Sequence, residues 1–140
     1  MDEILDGLGK RGGLLGVSGV SADLRKVQEA AEGGNEQAAL AVEVFVASIV
    51  KYIGAFYAEL GGLDHLVFTG GIGENSAAVR AAVCRRLPHL GVTLDEEKNA
   101  ALRGEGCISL PGAPADVLVI PANEEIGVAR EVCRCLAEEH

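Results

Sequence analysis

The residues of this sequence best suited to chemistry form one glycine-rich run, VFTGGIGENS, at positions 67–76. Its glycines at 70, 71 and 73 permit positive φ angles and let a ligand approach the backbone, because no side chain stands in the way. A helix expected to begin near Ser76 would aim its unpaired N–H groups and the positive end of its dipole at this run. The pattern therefore predicts an anion site, although a glycine turn of this kind can also be a tight connection that binds nothing. It matches neither of the two common phosphate-loop patterns.

A second polar cluster, PANEE, occupies residues 121–125 at the end of a predicted buried strand. Asn123 suits the N-cap of the helix that follows, and Glu124 and Glu125 suit its first turn, where acidic residues are favoured. A carboxylate at the tip of a strand is also where α/β enzymes hold Mg²⁺ beside phosphates. Both interpretations stay open on the residues alone.

A third segment, SGVSADLR at residues 18–25, follows a short apolar stretch, LLGV at 14–17, that predicts a strand. Its polar groups would then lie just past a sheet edge. Ser21 and Asp23 could equally cap the next helix, as such residues commonly do.

The secondary-structure elements that must position these groups are predicted from the spacing of apolar residues and from the glycine, proline and capping residues between them. DHLVFT at 64–69 predicts a strand, GGIGEN at 70–75 a turn, and 76–87 a helix that Pro88 stops. A buried strand is expected at 117–120, with a helix from Asn123. Weaker patterns predict a helix at 95–102 capped by Asp95 and a strand, CISL, at 107–110. The alternation indicates an α/β fold with a mostly parallel sheet in a single domain, residues 1–140.

A long amphipathic helix is predicted from Glu36 to Leu60, capped by Asn35 and ended by the glycines at 61 and 62. Its apolar stripe is assigned to the core and not to a cofactor site. The stripe comprises Leu40, Val44, Ala47, Val50, Ile53 and Tyr57.

Composition excludes several classes of function. The net charge of −9 and a pI near 4.7 make nucleic acid and anionic membranes poor partners. No uninterrupted run reaches the roughly 18 apolar residues of a membrane span. The four cysteines lack paired spacing, which indicates reduced thiols and a cytoplasmic protein.

Taken in order, SGVSADLR, VFTGGIGENS followed by VR, LGVTLDEEKN and VLVIPANEE resemble successive C-terminal motifs of the acetate kinase family. This family belongs to the acetate and sugar kinase, Hsc70 and actin superfamily. The resemblance covers the chain from about Leu14 to Ala137. It implies the C-terminal part of a ribonuclease-H-like, actin-like ATPase domain, with a short mostly parallel sheet flanked by helices, and a homodimer.

The resemblance also implies a set of binding residues for ATP or ADP and Mg²⁺. The loop is similar to the family's ATP-binding loop, and SADLR is similar to its nucleotide-contacting segment. NEE matches the magnesium site, with Glu124 as the ligand and Glu125 as the alternative. The implied nucleotide contacts are Asp23, Leu24, Arg25, Gly71, Ile72, Gly73, Glu74 and Asn75.

For the parent enzyme the resemblance implies reversible transfer of a phosphoryl group between ATP and acetate, giving ADP and acetyl phosphate. The arginines, histidine, aspartate and asparagine that the family uses for acetate and the transferred phosphoryl group have no counterpart in these 140 residues. We therefore expect acetate and acetyl phosphate to bind only with the missing N-terminal part, and the isolated chain to be inactive as a kinase. A propionate kinase fragment and a non-catalytic nucleotide-binding or dimerisation module are the alternatives.

Overall fold

The computed structural model of the protein describes Gly7 and residues 12–138, apart from the side chains of Glu124, Ala137 and Glu138. The chain divides into two compact units, residues 1–61 and 62–140. In the described residues the first unit is helical, and the second combines helices with a small sheet. The second unit thus has the predicted α/β character, while the assignment of all 140 residues to one domain stays a prediction.

Three helices make up the described part of the first unit: α1 at Gly13–Ser18, α2 at Leu24–Glu32 and α3 at Glu36–Leu60. The predicted strand at 14–17 is wrong, because these residues lie in α1. Gly19, with φ of 65°, closes α1 by donating its N–H to the Leu15 carbonyl. Leu14 packs against a buried cluster of Val27, Ala38 and Ala41 from α2 and α3. A strand here would find no strand to pair with in the described part of this unit.

The bounds of the long helix α3 agree with the prediction, but its buried face does not. The Asn35 side chain accepts the Ala38 N–H at 3.0 Å, and Gly61 ends the helix with φ of 72°. The buried residues are Ala38, Ala41 and Val46, whereas the stripe residues Leu40, Val44 and Ala47 are exposed. Small alanine side chains let α3 pack closely on α1 and α2, so the contact face is set by size and not by the largest apolar residues.

By length and hydropathy, α3 also meets the criteria for a membrane span, with a mean hydropathy of 1.8 over its most apolar window. The prediction from the sequence concerned an uninterrupted apolar run, which α3 does not contain, since Glu43 and Lys51 interrupt it. Glu43 is the eighth residue of this helix and Lys51 is the tenth from its end, and a bilayer would oppose charge there. A long packing helix satisfies the same two criteria, so they do not favour a membrane location.

The sheet of the second unit has three strands: β1 at His65–Phe68, β2 at Gly106–Cys107 and β3 at Asp116–Val119, in the order β1-β3-β2. β1 and β3 are parallel, with His65 opposite Asp116 and Phe68 opposite Val119. β2 is antiparallel to β3, because the short connection between them cannot form a parallel crossover. The sheet is therefore mixed, not mostly parallel.

The described part of this unit also contains four α-helices: α4 at Gly70–Asn75, α5 at Ala77–Cys84, α6 at Glu96–Ala101 and α7 at Glu124–Glu138. A short 3-10 helix lies at Pro88–Leu90. Ser76, Asp95 and Asn123 cap α5, α6 and α7 through hydrogen bonds to backbone N–H groups. The core is aliphatic; its fully buried members include Val83, Leu87, Val92, Ile108, Val117 and Val119.

Candidate functional site

The candidate site lies in the second unit, where the two parallel strands end at the same edge of the sheet. β1 ends at Phe68 and β3 at Val119, and the Ile120 N–H donates to the Phe68 carbonyl at 3.0 Å just beyond the ladder. The glycine-rich run and the PANEE segment follow these two strands directly. Ligands bind at the carboxyl ends of strands in α/β sheets, so both predicted segments lie at a suitable edge.

The residues expected to form a glycine turn, 70–75, form the short helix α4 instead. Gly70 has the positive φ, 71°, while Gly71 and Gly73 adopt helical angles that other residues also allow. Thr69 enters in an extended conformation, and the Ser76 N–H returns to the Ile72 carbonyl at 2.9 Å. The first N–H groups of any helix lack intrahelical partners, and the Thr69 side chain does not cap those of α4.

The glycines of α4 are required for different reasons. A Cβ on Gly73 would lie 3.2 Å from the carbonyl carbon of Phe68, closer than ordinary contact, so a side chain there would require the Phe68 backbone to shift. A Cβ on Gly71 would meet no atom within 4 Å. Gly71 is therefore the position where a side chain would project into free space at the carboxyl edge of the sheet.

A buried arginine, Arg80 of α5, lies beneath α4. Its Nη1 donates to the carbonyls of Gly73 at 2.8 Å and Glu74 at 2.7 Å. Its Nε donates to the Asn99 side-chain oxygen at 2.8 Å, and Nη2 to the Asn99 carbonyl at 3.1 Å. Asn99 in turn donates to the Ala77 carbonyl at 2.9 Å. This network joins α4, α5 and α6.

A polar pocket of about 400 Å³ opens beside the last turn of α4. Its lining includes Glu74, Asn75, Arg80, Asn99 and Arg103. Arg103 donates to the carbonyls of Ala100 and Leu102. The volume is within the range of small-molecule sites, but the lining alone does not select a ligand.

The side chains of Glu74 and Asn75 both bond within the protein. The Glu74 carboxylate accepts the Ala122 N–H at 2.8 Å, which ties α4 to the PANEE segment. The Asn75 amide donates to the Gly71 carbonyl at 2.9 Å. Ile72 is 41% exposed on α4. The structure thus brings together five of the predicted nucleotide contacts, while their contact with a nucleotide stays a prediction.

The other predicted nucleotide residues, Asp23, Leu24 and Arg25, lie in the first unit at the start of α2. Asp23 is its N-cap and accepts the Arg25 N–H at 3.0 Å, so the capping interpretation is confirmed. The Arg25 guanidinium pairs with the same carboxylate at 2.9 Å, and this hydrogen-bonded contact lowers the pKa of Asp23. Leu24 is buried, which leaves Asp23 and Arg25 as the accessible side chains of this segment.

The predicted Mg²⁺ ligand, Glu124, begins α7, but its side chain lies outside the described residues. Its alternative, Glu125, is exposed. Among the described residues no three His, Cys, Asp or Glu side chains gather into a metal-binding group. Because Mg²⁺ beside phosphates commonly takes only one or two protein carboxylates, this absence does not contradict the role predicted for Glu124, which stays a prediction.

Sequence reasoning missed the roles of Arg80 and Asn99. A signal for Arg80 was available, since it stands in the apolar run AAVRAAV next to Val79 and on the same helix face as Val83 and Cys84, all of which are buried. A charged residue on an apolar helix face indicates a buried partner. Asn99 lies in the segment EEKNAA, whose charged residues are typical of a solvent-exposed helix, so the sequence gave no indication that Asn99 is buried.

Comparison with known proteins places these features in a family. Residues 1–130 match the Acetokinase family. The chain is 52% identical over 139 residues to the acetate kinase of Dictyoglomus turgidum, covering 99% of this chain and 34% of that protein. It is 52% identical over 131 residues to the acetate kinase of Desulforamulus reducens, covering 94% of this chain and 33% of that protein.

Solved structures give the same result. Porphyromonas gingivalis acetate kinase matches with a TM-score of 0.87 and 42% identity over 95% of this chain and 34% of that chain. A propionate kinase from Francisella tularensis matches with a TM-score of 0.85 and 37% identity, over 94% and 33%. The chain therefore spans about a third of the length of the relatives it matches.

Proposed function

Because this chain belongs to the acetokinase family, we propose that it supplies the nucleotide-binding part of a kinase that transfers a phosphoryl group between ATP and acetate. The products would be ADP and acetyl phosphate. The observation that carries the proposal is the open side of Gly71, at the carboxyl edge of β1 and β3, in a chain of this family. The proposed fold of the complete domain is ribonuclease-H-like, and the proposed setting is a cytoplasmic homodimer.

The residues of the second unit have distinct proposed roles. The amide end of α4 would face the phosphates, with Gly71 allowing their close approach and Ile72 offering apolar contact. Glu74 holds the PANEE segment against α4, which would keep Glu124 beside the phosphates. A bound Mg²⁺ would neutralise phosphate charge, with Glu124 as its protein ligand and water and phosphate oxygens as the others.

Asp23 and Arg25 of the first unit are the proposed contacts to the nucleoside. Their ion pair lies at the start of α2, with the Arg25 side chain exposed to solvent. Leu24 would serve this segment through packing, since it is buried.

Phosphoryl transfer needs positioning and charge stabilisation of a loose transition state. The polar residues of the second unit would grip the nucleotide, but the acyl substrate would need the part that the longer relatives have in addition. We therefore propose that the 140-residue chain binds nucleotide without turning it over. A coupled assay for acetate-dependent ADP formation tests this, and turnover by the purified chain would contradict it.

Calorimetry with MgATP and MgADP tests the nucleotide site. Gly71→Val should weaken binding at least tenfold, because its side chain would occupy the space proposed for the phosphates. Gly62→Val is the matched control, since a Cβ at Gly62 also meets no atom within 4 Å, and it should bind as the unmodified chain does. Absence of binding by the unmodified chain, or equal binding by both variants, would reject the proposal.

The likeness to a propionate kinase structure supports a second candidate for the acyl substrate. The family match is common to both, and the proposed nucleotide residues serve either reaction. The test is to measure turnover with acetate and with propionate in a protein that contains this chain together with the further part that the longer relatives have. The preferred acyl substrate would decide between the two candidates.

A further inference from the structure

Arg80 is a buried cation whose hydrogen-bond partners are neutral. It is 2% exposed, and the acceptors of its guanidinium are the carbonyls of Gly73, Glu74 and Asn99 and the Asn99 side chain. No carboxylate pairs with it among the residues that the structure describes. Burial lowers the pKa of this guanidinium. Arginine is seldom buried without an anionic partner, so this position calls for a reason beyond packing.

The carbonyls that accept hydrogen bonds from Arg80 belong to α4, a helix that would not be stable as an isolated segment. α4 has six residues, of which Gly70, Gly71 and Gly73 are glycines, the poorest helix former after proline. Isolated helices of this length do not persist in water. Arg80 satisfies two of the last carbonyls of α4 and places a positive charge at its C-terminal end, and both effects stabilise a helix.

Arg80 contributes to the wall of the pocket beside α4 but is only 2% exposed. Its guanidinium already donates to the carbonyls of Gly73 and Glu74 and to Asn99, so it offers little to a ligand directly. Any effect at the first residue of α4, about 5 Å along the helix from Gly73 at 1.5 Å per residue, must pass through the helix itself. Asn99 completes the arrangement by fixing both Nε and Nη2 of the guanidinium, while its own amide is anchored on Ala77.

We propose that Arg80 is a positioning residue for the nucleotide site. By donating hydrogen bonds to the carbonyls of Gly73 and Glu74, it holds α4 so that the free N–H groups at the start of this helix face the phosphates. This inference rests on the proposed function, because it assumes that α4 faces a nucleotide. It assigns to Arg80 a role through α4 and no contact with the substrate.

The test compares Arg80→Gln with Arg85→Gln. Arg85 lies at the end of α5, exposed and paired with Glu96 at 3.2 Å, so its variant removes an arginine without touching α4. Amide hydrogen exchange of residues 72–76 is measured in the free proteins, and MgADP affinity by calorimetry. Arg80→Gln should speed exchange in α4 at least tenfold and weaken MgADP binding at least tenfold, with β3 amides unchanged. Arg85→Gln should change neither.

Arg80→Lys separates the effect of the guanidinium hydrogen bonds from the effect of the positive charge. It also replaces Arg80→Gln if that variant does not fold. A single ammonium group cannot span the acceptors on α4 and on Asn99, so Arg80→Lys is expected to leave MgADP binding at least fivefold weaker than in the unmodified chain. Full rescue by this variant would overturn the inference.

The remaining outcomes are also decisive. A merely structural arginine would speed exchange in α5, α6 and β3 as much as in α4, and that pattern would overturn the inference. If the unmodified chain binds no MgADP, the proposed function falls. If the unmodified chain binds MgADP and the MgADP affinity of Arg80→Gln is within twofold of its own, the proposed function stands and only the role of Arg80 is rejected.

Discussion

Replacing Asn99 with alanine should destabilise the second unit by between about 1 and 4 kcal/mol. The variant removes the acceptor of the Arg80 Nε–H, a bond to a charged donor worth about 1.5–3 kcal/mol. It also removes the donor to the Ala77 carbonyl, a neutral bond worth about 0.5–1.5 kcal/mol. Alanine returns up to about 0.7 kcal/mol through its higher helix propensity. Asn99 is 2% exposed, so water from the adjoining pocket would replace the lost partners only incompletely.

Asn75→Ala is the matched control, because it makes the same substitution at an exposed residue with one neutral hydrogen bond. We expect it to cost under about 1 kcal/mol, since water replaces the partner and helix propensity offsets part of the loss.

Urea unfolding followed by circular dichroism measures both free energies. The protein has no Trp and two Tyr, Tyr52 and Tyr57, and both lie in α3 of the first unit. Tyrosine fluorescence therefore reports that unit separately and should not respond to either variant. Equal free energies of unfolding for the two variants would refute the assignment of Asn99 as the anchor of a buried charge.

Gly73→Ala should be less stable than Gly71→Ala by about 1–3 kcal/mol in urea unfolding, because its Cβ would press on the Phe68 backbone while that of Gly71 meets nothing; equal stability would contradict the packing assigned to Gly73. The Arg25 guanidinium lowers the pKa of Asp23, so the stabilisation from this cap is present above the unfolded pKa near 4 and is lost as the pH falls through the lower folded value. An NMR titration of Asp23 checks this, and Arg25→Gln should move its midpoint upward. Burial raises the pKa of the Cys84 thiol to about 12, whereas Cys107, Cys133 and Cys135 are exposed; mass spectrometry after brief alkylation near neutral pH should find Cys84 unmodified, and early labelling there would contradict its burial.

Local signals in the sequence predicted the elements whose ends depend on neighbouring residues. Asn35, Asp95 and Asn123 each accept the backbone hydrogen bond that a cap requires, and the helices they begin lie where the sequence places them. The strand at 64–69 was likewise identified to within a residue at each end. These features depend on side chains within a few positions, so the sequence alone carries them.

Features that depend on distant partners could not be predicted in this way. Glycines at 70, 71 and 73 indicate a turn by propensity, whereas in α4 two carbonyls are satisfied by Arg80 from another helix. The stretch at 14–17 reads as a strand, but its unit offers a helical cluster for Leu14. α3 is apolar on several faces, so periodicity could not show that Ala38 and Ala41 face its neighbours.

Two of the three glycines of α4 are explained by the protein's own backbone and packing, and one is not. Gly70 is explained by its φ of 71°, which a side chain would strain, and Gly73 by the backbone of Phe68 at 3.2 Å. Gly71 has neither reason, since its φ is helical and no atom of the structure lies within 4 Å of a Cβ there. Glycine weakens a helix relative to alanine, so the fold by itself would favour a different residue at 71. An anion that approaches the backbone on this side would account for that glycine, and for this reason Gly71, and not Gly73, is the position at which substitution separates ligand binding from folding.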